Sequence, residues 1–327
     1  MATPARRMVL ALLVGCMIAY VLPGSARSAG PYRVGVVDYG GLLFDDMVNG
    51  LRTGLKEQGL EEGAQYVIVR RVVPRLDAVE EAARLLERDR VDVIYSLATS
   101  ITLAVKPATT TVPVVFAVGT DPVASGLVKS LAKPEGRFTG VSYLSTVLIS
   151  KRLELLRLIL PRLRSVVTFF DPKNPIALQA IQEAREAGRQ LGVTFIERHV
   201  NSAQALKAAL NALKPREADA IFYINDAVVA SQSALIVAEA RAKKLPTMFH
   251  ARNVVIDGGL AAYGPNYIEV GRVAARQVAR VLNGTRPADI PVENVRTLEF
   301  LINLRTAQEL GITIPHAAVQ RADRVIR

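Results

Sequence analysis

Hydrophobic and polar positions follow two alternating periods along most of the chain. Short runs rich in Val, Ile and Phe alternate with longer segments in which apolar residues recur every three or four positions. The short runs are typical of buried parallel strands, and the longer segments are typical of amphipathic helices. The predicted strands of the first half are residues 32–37, 66–73, 91–97 and 113–118. This alternation predicts a parallel sheet with helices on both faces.

The second half repeats the order of the first. Its predicted strands are residues 165–170, 193–199, 219–224 and 246–250, with later strands at 259–263 and 297–302. Three strand sequences recur in order, at offsets between 127 and 133 residues: 33–37 with 164–168, 91–95 with 218–222, and Pro113 and Phe116 with Pro246 and Phe249. The recurrence predicts two α/β lobes of similar build, although chance likeness among Val-rich strands is the alternative.

Residues 112–130 (VPVVFAVGTDPVASGLVKS) have the layout of a ligand-facing loop. A buried strand breaks at residues 119–122, and a helix is predicted to restart near Ser125. Ligands of open α/β sheets bind outside the carboxyl ends of the strands.

We also expect a capping box at Asp77 and Glu80 for a helix through Arg88. Crossings between the lobes are expected near Gly140, Ile256 and Val292.

The amino terminus has the three regions of a secretory signal peptide. Arg6 and Arg7 precede the apolar residues 8–22, and small residues follow at 23–29. We therefore expect residues 1–28 to be removed and the product to be periplasmic. An uncleaved anchor is one alternative, although the apolar run is short for a bilayer span. The other is a lipoprotein anchored at Cys16, because residues 13–16 (LVGC) resemble a lipobox.

Charge and motifs exclude several function classes. The formal net charge is +11, or +8 without Arg6, Arg7 and Arg27, but the basic residues are spread among acids, which favours a solvated surface over a nucleic-acid site. No Walker motif, no GxGxxG after the first strand and no GxSxG is present, so no cofactor is expected. The three histidines are far apart and lack metal-type partners. Each is interpreted as a surface or rim residue.

Polar and aromatic residues stand where predicted strands end. The candidate ligand-binding residues are Tyr39, Thr99, Ser100, Thr120 and Asp121 from the first half, and Asn174, Tyr223, Asn225 and Asp226 from the second. Thr99 and Ser100 open a predicted helix, where hydroxyl and N–H groups bind a carboxylate. Asp226 is suited to accept from an ammonium group. Because these residue types are also common helix caps, capping is the alternative for Thr99, Ser100 and Asp226.

Several motifs resemble one family over almost all of the chain after residue 30. They are VDVI at 91–94, ATTTVPVVF at 108–116, DPV at 121–123, GLV at 126–128, GGL at 258–260, PADIPVE at 287–293, LINL at 301–304, LGITIP at 310–315 and RADRVI at 321–326. Together they resemble the ABC-transporter substrate-binding proteins of the tryptophan/tyrosine type. Residues 133–137 (KPEGR) depart from the family pattern, and the loops at 39–41 and 225–227 vary widely within it.

The resemblance implies a periplasmic binding protein type I fold: two Rossmann-like lobes, a three-strand hinge and a ligand cleft between the lobes. We expect residues 31–142 and 256–290 in lobe I, and residues 143–255 and 291–327 in lobe II. It also implies a small-molecule ligand, a membrane permease with a cytoplasmic ATPase, and a monomer. An aromatic amino acid is one candidate ligand, for which Tyr and Phe would supply the stacking, because the chain has no Trp.

Two other functions remain open at this point. A receptor that presents its ligand to a signalling partner would use the same fold. A two-domain α/β enzyme is the further alternative, since Asp121 and Asp226 are an acid–base pair in principle, but no second motif supports it.

Overall fold

The computed structural model describes residues 30–143 and 145–327. The predicted signal peptide and Cys16 lie outside the described residues. Among the helices that are described, none has the length and apolar character needed to cross a bilayer.

The first sheet is entirely parallel and contains the amino-terminal strands. Its strands are β1 (Tyr32–Asp38), β2 (Tyr66–Val72), β3 (Val93–Leu97), β4 (Val114–Val118), β5 (Phe138–Ser142) and β11 (Glu293–Asn294). They lie in the order β2–β1–β3–β4–β5–β11. The helices that connect the first strands are α1 (Leu42–Glu57), α2 (Val79–Arg88) and α3 (Thr99–Ala108). β3, β4 and β5 are buried along their whole length, and this burial explains the continuous apolar sequence of β4.

The second sheet carries the middle and the end of the chain. Its strands are β6 (Ser165–Phe170), β7 (Thr194–His199), β8 (Ala220–Phe222), β9 (Thr247–Phe249), β10 (Ala261–Pro265), β12 (Leu298–Asn303) and β13 (Arg324–Ile326). The order is β7–β6–β8–β9–β10–β12–β13, and only the β10–β12 pair is antiparallel among these strands. The helices of this part are α4 (Ile149–Ile159), α5 (Pro175–Leu191), α6 (Ala203–Asn211), α7 (Ala227–Ser231), α8 (Ser233–Ala242), α9 (Arg252–Ile256), α11 (Leu304–Leu310) and α12 (His316–Arg321).

The predicted repeat is confirmed by strand position. β1 to β5 and β6 to β10 both follow the spatial order 2-1-3-4-5 of a doubly wound sheet. The three sequence echoes fall on equivalent pairs of strands, β1 with β6, β3 with β8, and β4 with β9. The chain is therefore a two-lobe α/β protein, as predicted, with one lobe around each sheet.

The chain passes between the sheets at three places: after β5, between β10 and helix α10 (Tyr267–Leu282), and between β11 and β12. α10 packs on α1 of the first lobe, where a Cβ on Gly50 would lie 2.0 Å from the carbonyl oxygen of Ile268. This contact requires glycine. β10 thus belongs to the second sheet and β11 to the first, which differs from the predicted segments 256–290 and 291–327.

Three local predictions were wrong. No helix forms near Ser125, because the Asp121 carboxylate instead accepts from the backbone N–H groups of Val123 and Ala124 in a series of turns. The capping box at Asp77 and Glu80 is replaced by a 3-10 turn at Leu76–Ala78. The sequence of residues 227–244 also predicts one long helix, but the structure divides it into α7 and α8 at Gln232.

Candidate ligand-binding site

A small cavity lies where the carboxyl ends of both sheets meet. Its volume of about 50 Å³ accommodates about two water molecules, at roughly 30 Å³ for each. Its walls come from the first lobe, the second lobe and the segments between them: Leu43, Phe44, Ala98, Thr99, Ser100, Gly119, Tyr143, Ser145, Asn174, Ile176, Tyr223, Asn225, Ala227, Ala230, His250 and Tyr267. Five of the nine predicted site residues therefore line one cavity, namely Thr99, Ser100, Asn174, Tyr223 and Asn225.

Two helices of the first lobe begin at the cavity without a side-chain cap. The N-cap residues are Gly41 for α1 and Ala98 for α3, and neither supplies a capping hydrogen bond. The first turns of these helices contribute Phe44 and Thr99 to the wall. Helix N-termini carry free N–H groups and a partial positive charge. The first-lobe wall is therefore suited to an anionic group of a ligand.

Ala98 has a backbone conformation that is nearly restricted to glycine, with φ 88° and ψ 148°. Its N–H donates to Ala117 O (2.9 Å), and its carbonyl accepts from the N–H and the hydroxyl of Thr102 (3.0 and 2.9 Å). These bonds hold the strained turn between β3 and α3. The turn exposes the start of α3 at the cavity.

The amide of Asn225 joins the second lobe to the segment after β5. Its Nδ2 donates to the hydroxyl of Ser145, and its Oδ1 is buried without a partner among the described residues. Ser145 Oγ also lies next to Gly119 of the first lobe, where an added Cβ would be 2.6 Å away. A buried unpaired acceptor is costly, so Asn225 Oδ1 is suited to receive a donor from a ligand.

Four rings form the aromatic wall. His250 stacks on Tyr223 with 3.9 Å between ring centroids, and Tyr267 meets His250 edge-on at 5.5 Å and Tyr143 at 5.3 Å. Burial raises the pKa of the Tyr143, Tyr223 and Tyr267 phenols and lowers the pKa of His250 well below 6.5. All four rings are therefore uncharged near neutral pH. His250 is 3% exposed, so its predicted place on the surface or rim was wrong.

Asp226 does not lie on the cavity wall. It caps α7 through a bond from Val229 N to its Oδ1 (3.1 Å), and its Oδ2 accepts from Asp171 N (3.1 Å) and from Asn174 Nδ2 (3.3 Å). Burial raises its pKa, although these hydrogen bonds oppose the shift. The main chain of Asp226 also exchanges hydrogen bonds with the hydroxyl of Tyr223. The capping alternative thus describes the observed contacts of Asp226.

The other three predicted residues lie around the cavity without lining it. Tyr39 is buried, and burial raises the pKa of its phenol despite a hydrogen bond with Ser100 that opposes the shift. Thr120 is buried with its hydroxyl 3.1 Å from that of Thr99. Asp121 is exposed and stabilises its own turn. Tyr39 and Thr120 therefore support the first turn of α3, whereas Asp121 does not reach the site.

Sequence reasoning missed Tyr143, Ser145, His250, Tyr267 and the buried Arg152 behind the wall. His250 directly follows β9, so the rule that ligands bind at strand ends was sufficient to identify it. Tyr143 and Ser145 lie in a segment between the lobes, which no periodic pattern marks. Arg152 stands in the ordinary helical sequence ISKRLELLRLI, where an arginine is expected to face solvent.

Comparison with known proteins identifies the family. The family model described as ABC transporter substrate binding protein matches residues 39–326. The chain is 26% identical to the tyrosine-binding protein of Clostridioides difficile (strain R20291) over 271 residues, which covers 82% of this chain and 77% of the other.

Two solved structures share the fold closely. A conserved domain protein from Vibrio cholerae is 29% identical with a TM-score of 0.81, covering 90% of this chain and 100% of the other. The ABC domain from Streptococcus pneumoniae in complex with L-Trp is 26% identical with a TM-score of 0.79, covering 91% of this chain and 100% of the other. These likenesses agree with the predicted periplasmic binding protein type I architecture.

Proposed function

This chain belongs to the ABC transporter substrate-binding proteins, a family of binding proteins rather than enzymes, and we propose that it captures an amino acid in the cavity between its lobes. The observation that carries the proposal is the division of unpaired polar groups between the two lobes. The first lobe offers helix N-termini, and the second offers the free Oδ1 of Asn225. A zwitterion needs partners for both of its charged ends, because burying either end unpaired is costly.

The carboxylate is assigned to the start of α3. Thr99 and Ser100 stand at its first turn, and Ala98 provides no capping oxygen that would compete for the free N–H groups. Thr99 is fixed by Thr120, so its hydroxyl is already positioned. Hydrogen bonds from N–H groups to a charged oxygen are about twice as strong as neutral ones.

The ammonium is assigned to Asn225 Oδ1 instead of to Asp226. Asp226 already accepts three hydrogen bonds and is absent from the wall, whereas Asn225 Oδ1 is unpaired and lies on the wall. Asp226 then supports the site indirectly, by fixing Asn174 and Tyr223. This arrangement requires both lobes for binding, and so ligand binding favours the closed form.

The aromatic wall is suited to an apolar ligand side chain. The protein from Clostridioides difficile is named for binding tyrosine, and the structure from Streptococcus pneumoniae contains L-Trp. A ligand of that size exceeds the present volume, so the ring of Tyr143 or Tyr267 must turn or the lobes must separate further. A small amino acid needs less rearrangement. The ligand screen therefore includes both sizes.

The family implies a place for the protein in the cell. We propose that residues 1–28 direct export, that the mature chain works in the periplasm, and that it delivers its ligand to a membrane permease with a cytoplasmic ATPase. Sequencing of the mature amino terminus tests export. A chain that begins at a lipid-modified Cys16 would replace the soluble form with an anchored one and leave the transport role in place.

A ligand screen tests the binding function. Thermal stabilisation is measured with each proteinogenic L-amino acid, and calorimetry with small-angle scattering follows for every hit. We expect saturable binding, recovery of the ligand unchanged and a decrease in radius of gyration. Lack of stabilisation by every amino acid would reject the ligand class, and chemical conversion of the hit would reject the binding function itself.

A further inference from the structure

Arg152 is a fully buried cation without an ionic partner among the residues that the structure describes. Its guanidinium donates to three main-chain carbonyls: Nε to Tyr263 (3.1 Å), Nη1 to Tyr223 (3.0 Å) and Nη2 to Ser145 (3.3 Å). These carbonyls satisfy hydrogen bonds but carry no net charge. Burial lowers the pKa of Arg152 to about 10, so it stays protonated at neutral pH.

The side chains around Arg152 do not neutralise it. Burial raises the pKa of Tyr223 and of Tyr267, so neither becomes a phenolate near neutral pH. His250 is held neutral by its burial and by the charge of Arg152. Asp226, the buried carboxylate of this region, uses its oxygens for α7, Asp171 and Asn174, with no ion pair to Arg152.

The cation lies directly behind the cavity wall. Two of its carbonyl partners, those of Ser145 and Tyr223, belong to residues that line the cavity. Its guanidinium carbon is 5.9 Å from the centroid of the Tyr223 ring. The described lining contains no Asp or Glu, although the buried carboxylate of Asp226 adjoins it through a hydrogen bond from the lining residue Asn174. The fixed positive charges beside the cavity are this cation and the positive ends of α1 and α3.

We propose that Arg152 is the fixed counter-charge of the ligand carboxylate, and that it makes the cavity select carboxylates over their neutral amides. The proposal rests on the proposed function and narrows its ligand class. An unpaired buried charge is costly, and a carboxylate in the cavity would relieve that cost across a poorly screened interior. Arg152 does not touch the cavity, so it acts through the electric field and through the positions of Ser145 and Tyr223.

A pair of small probes tests the proposal without knowledge of the natural ligand. Thermal stabilisation is titrated with sodium acetate and with acetamide at constant ionic strength. Acetate carries the carboxylate, and acetamide has nearly the same shape without the charge. We expect saturable stabilisation of the wild type by acetate and none by acetamide. Equal responses to the two probes would overturn the proposal, and this comparison requires no variant.

Variants then assign the effect to the residue. Arg152→Met should weaken acetate binding by about tenfold, whereas Arg152→Lys, which keeps the charge, should retain most of it. Arg157→Met is the matched control, because Arg157 lies on the same helix with an exposed side chain. An unchanged acetate response in folded Arg152→Met would overturn the assignment. If Arg152→Met does not fold, Arg152→Lys is measured instead. Loss of the preference for acetate over acetamide in Arg152→Lys would contradict a role of the charge.

A second set of binding measurements, with amino acids and their carboxamides, distinguishes a failure of this proposal from a failure of the proposed function. Each amino acid that binds is compared with its own carboxamide in wild type and in Arg152→Met. A structural defect would weaken both ligands equally, but loss of a counter-charge weakens the carboxylate alone. If acetate is selected while no amino acid binds, the ligand class fails and the role of Arg152 stands. If an amino acid and its carboxamide bind equally, the role of Arg152 fails and the ligand class stands.

Discussion

The imidazole of His250 lies flat on the phenol ring of Tyr223, with an angle of 14° between the planes and 3.9 Å between the centroids. Its Nδ1 is buried without a partner among the described residues. Burial, with a smaller effect from Arg152, lowers the pKa of His250 well below 6.5. In the unfolded chain the same ring titrates near pH 6.5. Below that pH the unfolded chain binds a proton that the folded protein does not.

The stability that depends on neutral His250 is therefore complete above about pH 6.5 and is lost as the pH falls. We expect the free energy of unfolding to decrease by up to about 1.4 kcal/mol per pH unit below that point from this residue. His250→Phe keeps the ring contact and should remove this slope. Urea unfolding at several pH values measures it. His316→Phe, at an exposed position, is the control and should keep the wild-type slope; identical slopes in all three proteins would contradict the prediction.

Asn225 and Asp226 are adjacent, but we expect their substitutions to have different effects. Asp226→Ala removes the cap of α7 and two further hydrogen bonds, so the free energy of unfolding should fall by about 2 kcal/mol. Asn225→Ala removes the free acceptor on the wall, so affinity for an amino acid should fall by about tenfold. Calorimetry and urea unfolding separate the two effects.

Asn211→Ala, exposed at the end of α6, is the control for the truncation of an asparagine and should change neither quantity. If Asp226→Ala loses more affinity than Asn225→Ala, the residue that binds the ligand ammonium is Asp226 and not Asn225.

The sequence was sufficient to predict two α/β lobes and the end of the sheets at which the cavity lies, although it assigned β10 and β11 to the wrong lobes. Strands such as β4 are buried on both faces, so their apolar runs are visible without tertiary information. Thr99 and Asn225 were identifiable because parallel strands place their carboxyl ends at one edge. The repeat then brought the two edges together. This part of the site depends on topology alone.

The remaining parts of the site depend on contacts between residues that lie far apart in the sequence. Arg152 meets Tyr223 and Tyr263, which are 71 and 111 residues away along the chain. No local pattern distinguishes it from a surface arginine. Asp226 was predicted to bind ligand because its type and position suit both roles. Its acceptance of a bond from Asp171 N, 55 residues away, is a contact that favours the supporting role and that no local pattern reveals.

Glu87 stabilises the turn that leads into β4 through hydrogen bonds. Its carboxylate accepts from the backbone N–H groups of Thr110 (2.9 Å), Thr111 (2.8 Å) and Val112 (3.2 Å), and from the Thr111 hydroxyl (3.0 Å). Burial opposes ionisation, but these bonds prevail and lower the pKa of Glu87 to about 2. Because the folded pKa is below the unfolded value, the stabilisation is present above about pH 4.3 and is lost as the pH falls toward 2.

We expect Glu87→Gln to lower the free energy of unfolding at neutral pH by about 1 kcal/mol, since the site is partly exposed and solvent screens its charge. Ligand affinity should stay unchanged, because Glu87 is not on the cavity wall. Urea unfolding between neutral pH and about pH 3 checks this. Glu81→Gln, which removes an exposed ion pair with Arg88, is the control. Equal losses in the two variants would show that the turn does not depend on Glu87.

The approach of the two lobes depends on Gly41. This residue precedes α1 in the first lobe with φ 87°, and an added Cβ would lie 2.3 Å from the carbonyl oxygen of Ser231, at the end of α7 in the second lobe. Gly40, its neighbour, also has a positive φ of 70°, but its Cβ would meet Val72 of the first lobe at 2.9 Å. Both glycines have a positive φ that would strain any other residue, and of the two only Gly41 faces the other lobe.

We therefore expect Gly41→Ala and Gly40→Ala to lose similar stability, about 1 to 3 kcal/mol each, because both place a side chain at positive φ. Only Gly41→Ala should also prevent full closure. Its ligand affinity should fall by at least about tenfold, and scattering with saturating ligand should give a larger radius of gyration than for Gly40→Ala. Equal affinity and equal compaction in the two variants would mean that the Gly41–Ser231 contact is not needed for ligand binding.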